Sequence, residues 1–109
     1  MSFVEIVNVN EIPSGKMKMV KVEENEILIA NVNGSYYAIA NRCSHKKGDL
    51  SKGSLDDNIV TCPMHGSRFD VRTGKAVEGP KILFFRAKTN DQRSYQVKIE
   101  DEIVKIRFS

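Results

Sequence analysis

Cys62-Pro63-Met64-His65-Gly66-Ser67-Arg68-Phe69-Asp70 is the stretch on which the reading of this chain turns. It sets a thiol and an imidazole three residues apart and runs on into a short segment that reads as a strand. Upstream, Cys43-Ser44-His45 sets a second thiol and imidazole two residues apart, with sixteen residues between His45 and Cys62. The 109-residue chain has two cysteines and two histidines, and all four lie in these stretches. Every soft or borderline metal ligand is therefore committed to one constellation.

Outward from this pair, short alternating runs are punctuated by turn residues, the pattern of strands. Strands are predicted over 3–7, 17–22, 26–32, 35–40, 58–61, 68–71, 75–77, 81–88, 95–99 and 103–108. Met19-Val20 interrupts the alternation and suggests a bulge. Asn33-Gly34 suits a type I′ hairpin turn, because both central residues need positive φ. Arg72-Thr73-Gly74 and Glu100-Asp101-Glu102 mark two further hairpins. The segment 43–58, rich in Gly, Ser, Asp and Lys, reads as irregular. No segment shows a capped helical period. The expected fold is all-β, with several small antiparallel sheets and the ligand loops at strand ends.

The length suits one domain over residues 1–109. No apolar run is long enough to cross a bilayer, and the N-terminus lacks a basic head with an apolar stretch. A soluble, cytoplasmic protein is expected, with neither membrane nor secretory signal. A reducing cytoplasm disfavours a disulfide, which would also leave two histidines at matching offsets unexplained. Seventeen basic against fourteen acidic residues give net +3. Between Arg42 and Lys81 the count is eight to five, and elsewhere it is nine to nine. The excess sits with the ligands. No recognition helix or aromatic-interleaved motif accompanies it, so an acidic protein partner fits better than nucleic acid.

Two cysteines and two histidines suit zinc or an iron–sulfur centre. Zinc fingers and ribbons pair like ligands, as C-x(2–4)-C and H-x(3–5)-H. Here each pair is mixed. Mixed pairs have a logic for two irons: each loop gives a thiolate to one iron and an imidazole to the other, clamping the centre from both sides.

Cys-x-His, a gap of about this length and Cys-x-x-His together resemble the Rieske [2Fe–2S] motif. The resemblance spans residues 41–80. Cys62 to Asp70 is similar to the second Rieske loop, and 71–80 to the hairpin and proline loop covering the cluster. The resemblance implies a Rieske-like domain with two cluster-binding loops and one [2Fe–2S] cluster. Cys43 and Cys62 would bind a buried iron, and His45 and His65 an outer one. Ser67 matches a serine that donates to a bridging sulfide. Gly48 and Gly66 would let backbone amides approach the cluster, and Pro80 would stiffen the covering loop. Neutral imidazoles in place of two thiolates raise the potential, to about −150 to +300 mV against about −400 mV for plant-type centres. High-potential respiratory members carry a loop disulfide and a tyrosine. Gly48 and Met64 stand at the disulfide positions here, and Phe69 at the tyrosine, which implies a low-to-intermediate potential.

The chain has no dinucleotide loop and no histidines for a mononuclear iron, so it is expected to carry electrons and not to catalyse. The resemblance implies a ferredoxin between a flavin reductase and a ring-hydroxylating oxygenase. Arg42, Lys46 and Lys47 would meet an acidic partner beside the histidine edge. The alternatives are the small Rieske-like subunit of a nitrite reductase and a structural zinc module.

Overall fold

The computed structural model describes residues 3–44, 47–82, 85–86 and 88–108. Twelve strands occur among them: β1 (Phe3–Asn8), β2 (Met17–Val22), β3 (Asn25–Val32), β4 (Ser35–Ala40), β5 (Ser54–Asp56), β6 (Ile59–Thr61), β7 (Arg68–Asp70), β8 (Ala76–Glu78), β9 (Lys81–Ile82), β10 (Phe85–Arg86), β11 (Ser94–Glu100) and β12 (Ile103–Arg107). Two 3-10 turns, Val9–Glu11 and Leu50–Lys52, are the helical elements described. The all-β expectation holds.

All described pairings are antiparallel. A six-stranded sheet runs β1-β12-β11-β4-β3-β2, a four-stranded sheet runs β5-β6-β7-β8, and β9 and β10 form a small pair. Strand β3 shows how sequence makes this arrangement. Its run Ile27-Leu28-Ile29-Ala30 is fully buried, without the alternation of a half-exposed strand. Leu28 and Ala30 enter one core with Ile39, Cys43, Leu50, Val60, Cys62, Phe69 and Val71. Ile27 and Ile29 enter the other with Val7, Ile12, Ala38, Val104 and Ile106. The first core joins the six-stranded sheet to the four-stranded one, and both cysteines lie in it.

The β3–β4 turn has Asn33 at φ 53° and Gly34 at φ 92°, as a type I′ turn requires. The β11–β12 turn uses Asp101 and Glu102, at φ 53° and 64°. Three expectations change. β2 and β3 pair without interruption from Met17↔Ala30 to Val22↔Asn25, so Met19-Val20 is no bulge. The register shifts lie in β1, between Glu5 and Val7, and in β8, where Val77 falls between the partners of Arg68 and Phe69. The stretch 43–58 contains the 3-10 turn and β5, whose short Ser-Leu-Asp run is too brief to show a period. The single strand expected over 81–88 is instead a reversal, with Phe85 opposite Ile82 and Arg86 opposite Lys81. Leu83 and Phe84, part of that expectation, lie outside the described residues.

Phe69 carries the contact between the sheets. It lies on β7 opposite Val60 and is fully buried among residues of both. Phe69→Ala is expected to cost about 3–5 kcal/mol, the usual range for emptying an aromatic core site. Chemical denaturation of the purified protein would register it as a lowered midpoint.

Candidate metal centre

The two cysteine loops are built alike, although their ligand spacings differ. In the first, the Cys43 N–H donates to the Gly48 carbonyl at 2.8 Å, and the Lys47 N–H donates to the Cys43 carbonyl at 2.8 Å. In the second, the Cys62 N–H donates to the Ser67 carbonyl at 2.8 Å, and the Gly66 N–H donates to the Cys62 carbonyl at 3.2 Å. Each cysteine thus bonds the residues four and five positions on. The fourth residue has positive φ in both loops, 56° at Lys47 and 76° at Gly66. An antiparallel pair flanks each loop, Arg42↔Asp49 and Thr61↔Arg68. Sequence concealed the match, because lysine stands where φ favours glycine.

The entry to the first loop is pinned by Asn41, which is fully buried. Its Nδ2 donates to Asp49 Oδ1 at 2.8 Å, and its Oδ1 accepts from the Ser51 N–H at 3.0 Å. Burial pushes the Asp49 carboxyl up, but bonds from Ser51 and Asn41 outweigh it and hold the group below its ordinary range. From the far end of the chain, the buried Gln92 side chain bonds Ser44, Ala40 and Arg42. Neither Asn41 nor Gln92 was marked by sequence. Both look like ordinary loop residues, and only their burial separates them from solvated ones.

The fold brings Cys43 and Cys62 together, with both thiols free and buried. Burial pushes the Cys62 thiol up, and the adjacent Cys43 thiol adds to this; the main-chain amides of Met64 and His65 act in the opposite sense. Cationic metal beside them would favour the thiolates. His65 is exposed, as are Pro63 and Met64. His45 and Lys46 lie outside the described residues. Arg42 is exposed but not free, since its Nε lies 3.0 Å from Glu26 Oε1. Lys47 is exposed, and Pro80 is buried.

Two features suit an inserted inorganic group. Ser67 is 1% exposed, and its Oγ has no hydrogen-bond partner among the described residues. A buried hydroxyl left unpaired is costly unless something else accepts from it. Gly48 is buried against the cysteines: a Cβ there would stand 2.7 Å from Cys62 Sγ. Two thiols at the buried side, an exposed imidazole and an unspent hydroxyl fit an iron–sulfur centre.

Known proteins agree. Residues 2–85 match the model of the Rieske [2Fe-2S] domain. The ferredoxin component of the naphthalene 1,2-dioxygenase/salicylate 5-hydroxylase systems of Ralstonia sp is 36% identical over 107 residues, covering 98% of this chain and 96% of that protein. The biphenyl dioxygenase ferredoxin subunit of Pseudomonas sp. (strain KKS102) is 32% identical over 110 residues, covering 100% and 94%. The solved ferredoxin of Sphingomonas yanoikuyae B1 superposes with a TM-score of 0.82 at 28% identity, covering 99% and 100%. The chain belongs to the Rieske [2Fe-2S] domain family. It is an electron carrier with one Rieske-type cluster, not an enzyme, and the zinc-module alternative falls away. No helix among the described residues is long and apolar enough to cross a membrane.

Gly48 has an ordinary φ, so alanine there is opposed by contact alone. Gly48→Ala is expected to push Cys62 aside and to lower iron and sulfide per chain, measured by elemental and colorimetric assay. Full cluster content in this variant would show that the approach is not needed.

Proposed function

We propose that this chain passes single electrons from a flavin reductase to an oxygenase, with Cys43 and Cys62 as ligands of one iron and His45 and His65 as ligands of the other. One observation carries the reading: two thiols from two equivalent loops share a buried space, in a chain similar over nearly its whole length to ferredoxin components of dioxygenase systems. The cluster, when bound, supplies a one-electron couple. The chain's own residues hold it and set its surroundings. Cys43 and Cys62 keep water from the inner side. The amides of Met64 and His65 bond the Cys62 sulfur, and the Ser67 hydroxyl is free to donate into the site. Hydrogen bonds to sulfur favour the reduced form.

The exposed His65 gives the electron its shortest way out. Met64, 52% exposed beside it, offers an apolar contact. Lys47 and the partly neutralised Arg42 make the neighbouring edge basic, Lys46 adds a charge next to Lys47 in sequence, and this suits an acidic docking face. Residues 1–109 serve as one domain, in the cytoplasm, and neither nucleic acid nor membrane is a partner.

The purified protein is expected to be red-brown, with two irons and two sulfides per chain and, once reduced, a low average g-value in its EPR spectrum. A colourless protein with stoichiometric zinc would overturn the reading. Transfer to an oxygenase should slow as salt is added; rates indifferent to ionic strength would remove the basic edge from docking. Ser67→Ala should lower the midpoint potential by about 40 mV, the one-electron equivalent of roughly 1 kcal/mol. Protein-film voltammetry measures it, and an unchanged midpoint would take Ser67 out of the site.

A further inference from the structure

We infer that Gln92 is a cross-brace between the two cysteine loops, and so a positioning residue for the cluster. This rests on the ligand assignment proposed above. Gln92 stands in the polar run Asn90-Asp91-Gln92-Arg93, yet it is only 5% exposed. Its amide is spent on the first loop. Oε1 accepts from the Ser44 N–H at 2.7 Å, while Nε2 donates to the carbonyls of Ala40 and Arg42, each at 2.8 Å. Arg42 precedes Cys43 and Ser44 follows it, so one side chain grips the main chain on both sides of the cysteine.

The main chain of Gln92 holds the other end. Its N–H donates to the Gly74 carbonyl at 2.7 Å. The Gly74 N–H donates in turn to the Asp70 carbonyl at 2.7 Å, at the end of β7, the strand that leaves the second loop. Gly74 is the residue this contact requires. Its φ is 83°, and a Cβ there would meet the Gln92 carbonyl oxygen at 2.2 Å. Three bonds therefore connect Ser44 to Asp70 by way of Gln92 and Gly74. Flanking bonds run the same way: Asp91 Oδ1 accepts from the Ala76 N–H at 2.8 Å, and Ser44 Oγ donates to the Asn90 carbonyl at 2.6 Å.

The physical need is plain. The loop over 43–48 shows no regular secondary structure among its described residues, where two main-chain bonds of its own close it. Those bonds set its internal shape but not its orientation toward the second loop. A buried amide with its bonds satisfied sets that orientation, and its removal strands one N–H and two carbonyls. Partners behind the ligands in this way tune a metal centre through ligand orientation.

The test compares iron-loaded wild type with Gln92→Met, which keeps length and removes the amide, and with Gly74→Ala, which attacks the brace from the end remote from the first loop. Arg93→Ala, at an exposed neighbour, is the control. Both brace variants are expected to lose iron to a chelator at least about tenfold faster than wild type. Both should shift the midpoint in one direction and alter the EPR line shape, with faster hydrogen exchange in the peptide containing Ser44. Arg93→Ala should match wild type. A folded Gln92→Met with wild-type midpoint, EPR and iron release overturns the brace, and so does a Gly74→Ala that behaves as wild type. If Gln92→Met does not fold, Gln92→Asn, whose amide falls one methylene short, carries the comparison. Iron and sulfide content of the wild type tests the ligand assignment separately, so the two readings fail in distinguishable ways.

Discussion

Two thiols nineteen positions apart in the chain occupy one buried space, and most of the molecule serves that placement. Neither loop could hold it alone. Each is six residues long and bonded to itself through its cysteine's main chain, with the same four- and five-residue offsets. What fixes the loops against one another is the apolar layer beneath them. Leu28, Ala30 and Ile39 come from the six-stranded sheet, Val60 and Phe69 from the four-stranded one, and the cysteines close the layer at its end. Hydrophobic burial is strong but has no direction. Direction comes from Asn41, Gln92 and the main-chain bonds around them, and each of these must be satisfied because it is buried.

The site is polarised as an electron carrier requires. Its inner side is apolar and contains the thiols. Its outer side presents His65, Pro63 and Met64 to solvent. The Ser67 hydroxyl, buried without a partner among the described residues, stands where an acceptor from outside the polypeptide makes chemical sense. The charge near this edge is less simple than a run of basic residues suggests. Glu26, remote in sequence, reaches Arg42 across the sheet, so part of the positive charge is already met within the fold. Exposed pairs of this kind add little to stability, but they change what a partner encounters.

Much of the fold was legible along the chain. Asn33-Gly34 announced its turn because the backbone there needs positive φ at both residues, and the short apolar runs on either side of it read as its strands. Where legibility failed, a physical cause can be named. Ser54-Leu55-Asp56 is a strand because β6 pairs with it, not because three residues carry a period. Met19-Val20 breaks the alternation without interrupting the pairing, since edge strand β2 packs Met17 on one core and Val20 and Val22 on the other. The run from Lys81 read as one strand because its apolar residues are continuous, whereas the chain reverses within it.

The proposed ligand set was read from sequence alone, and so was the kind of centre. Two cysteines and two histidines in mixed pairs are a statement about chemistry, and chemistry is carried by residue type and local spacing. The equivalence of the loops, the orphaned hydroxyl of Ser67, the close approach of Gly48 to Cys62 and the reach of Gln92 to Ser44 were decided by tertiary structure. Each depends on groups distant in the chain meeting where water is excluded. A glutamine in a polar run has the same sequence signature whether it is solvated or clamps a loop. Burial makes its hydrogen bonds obligatory, and burial is a property of the folded whole.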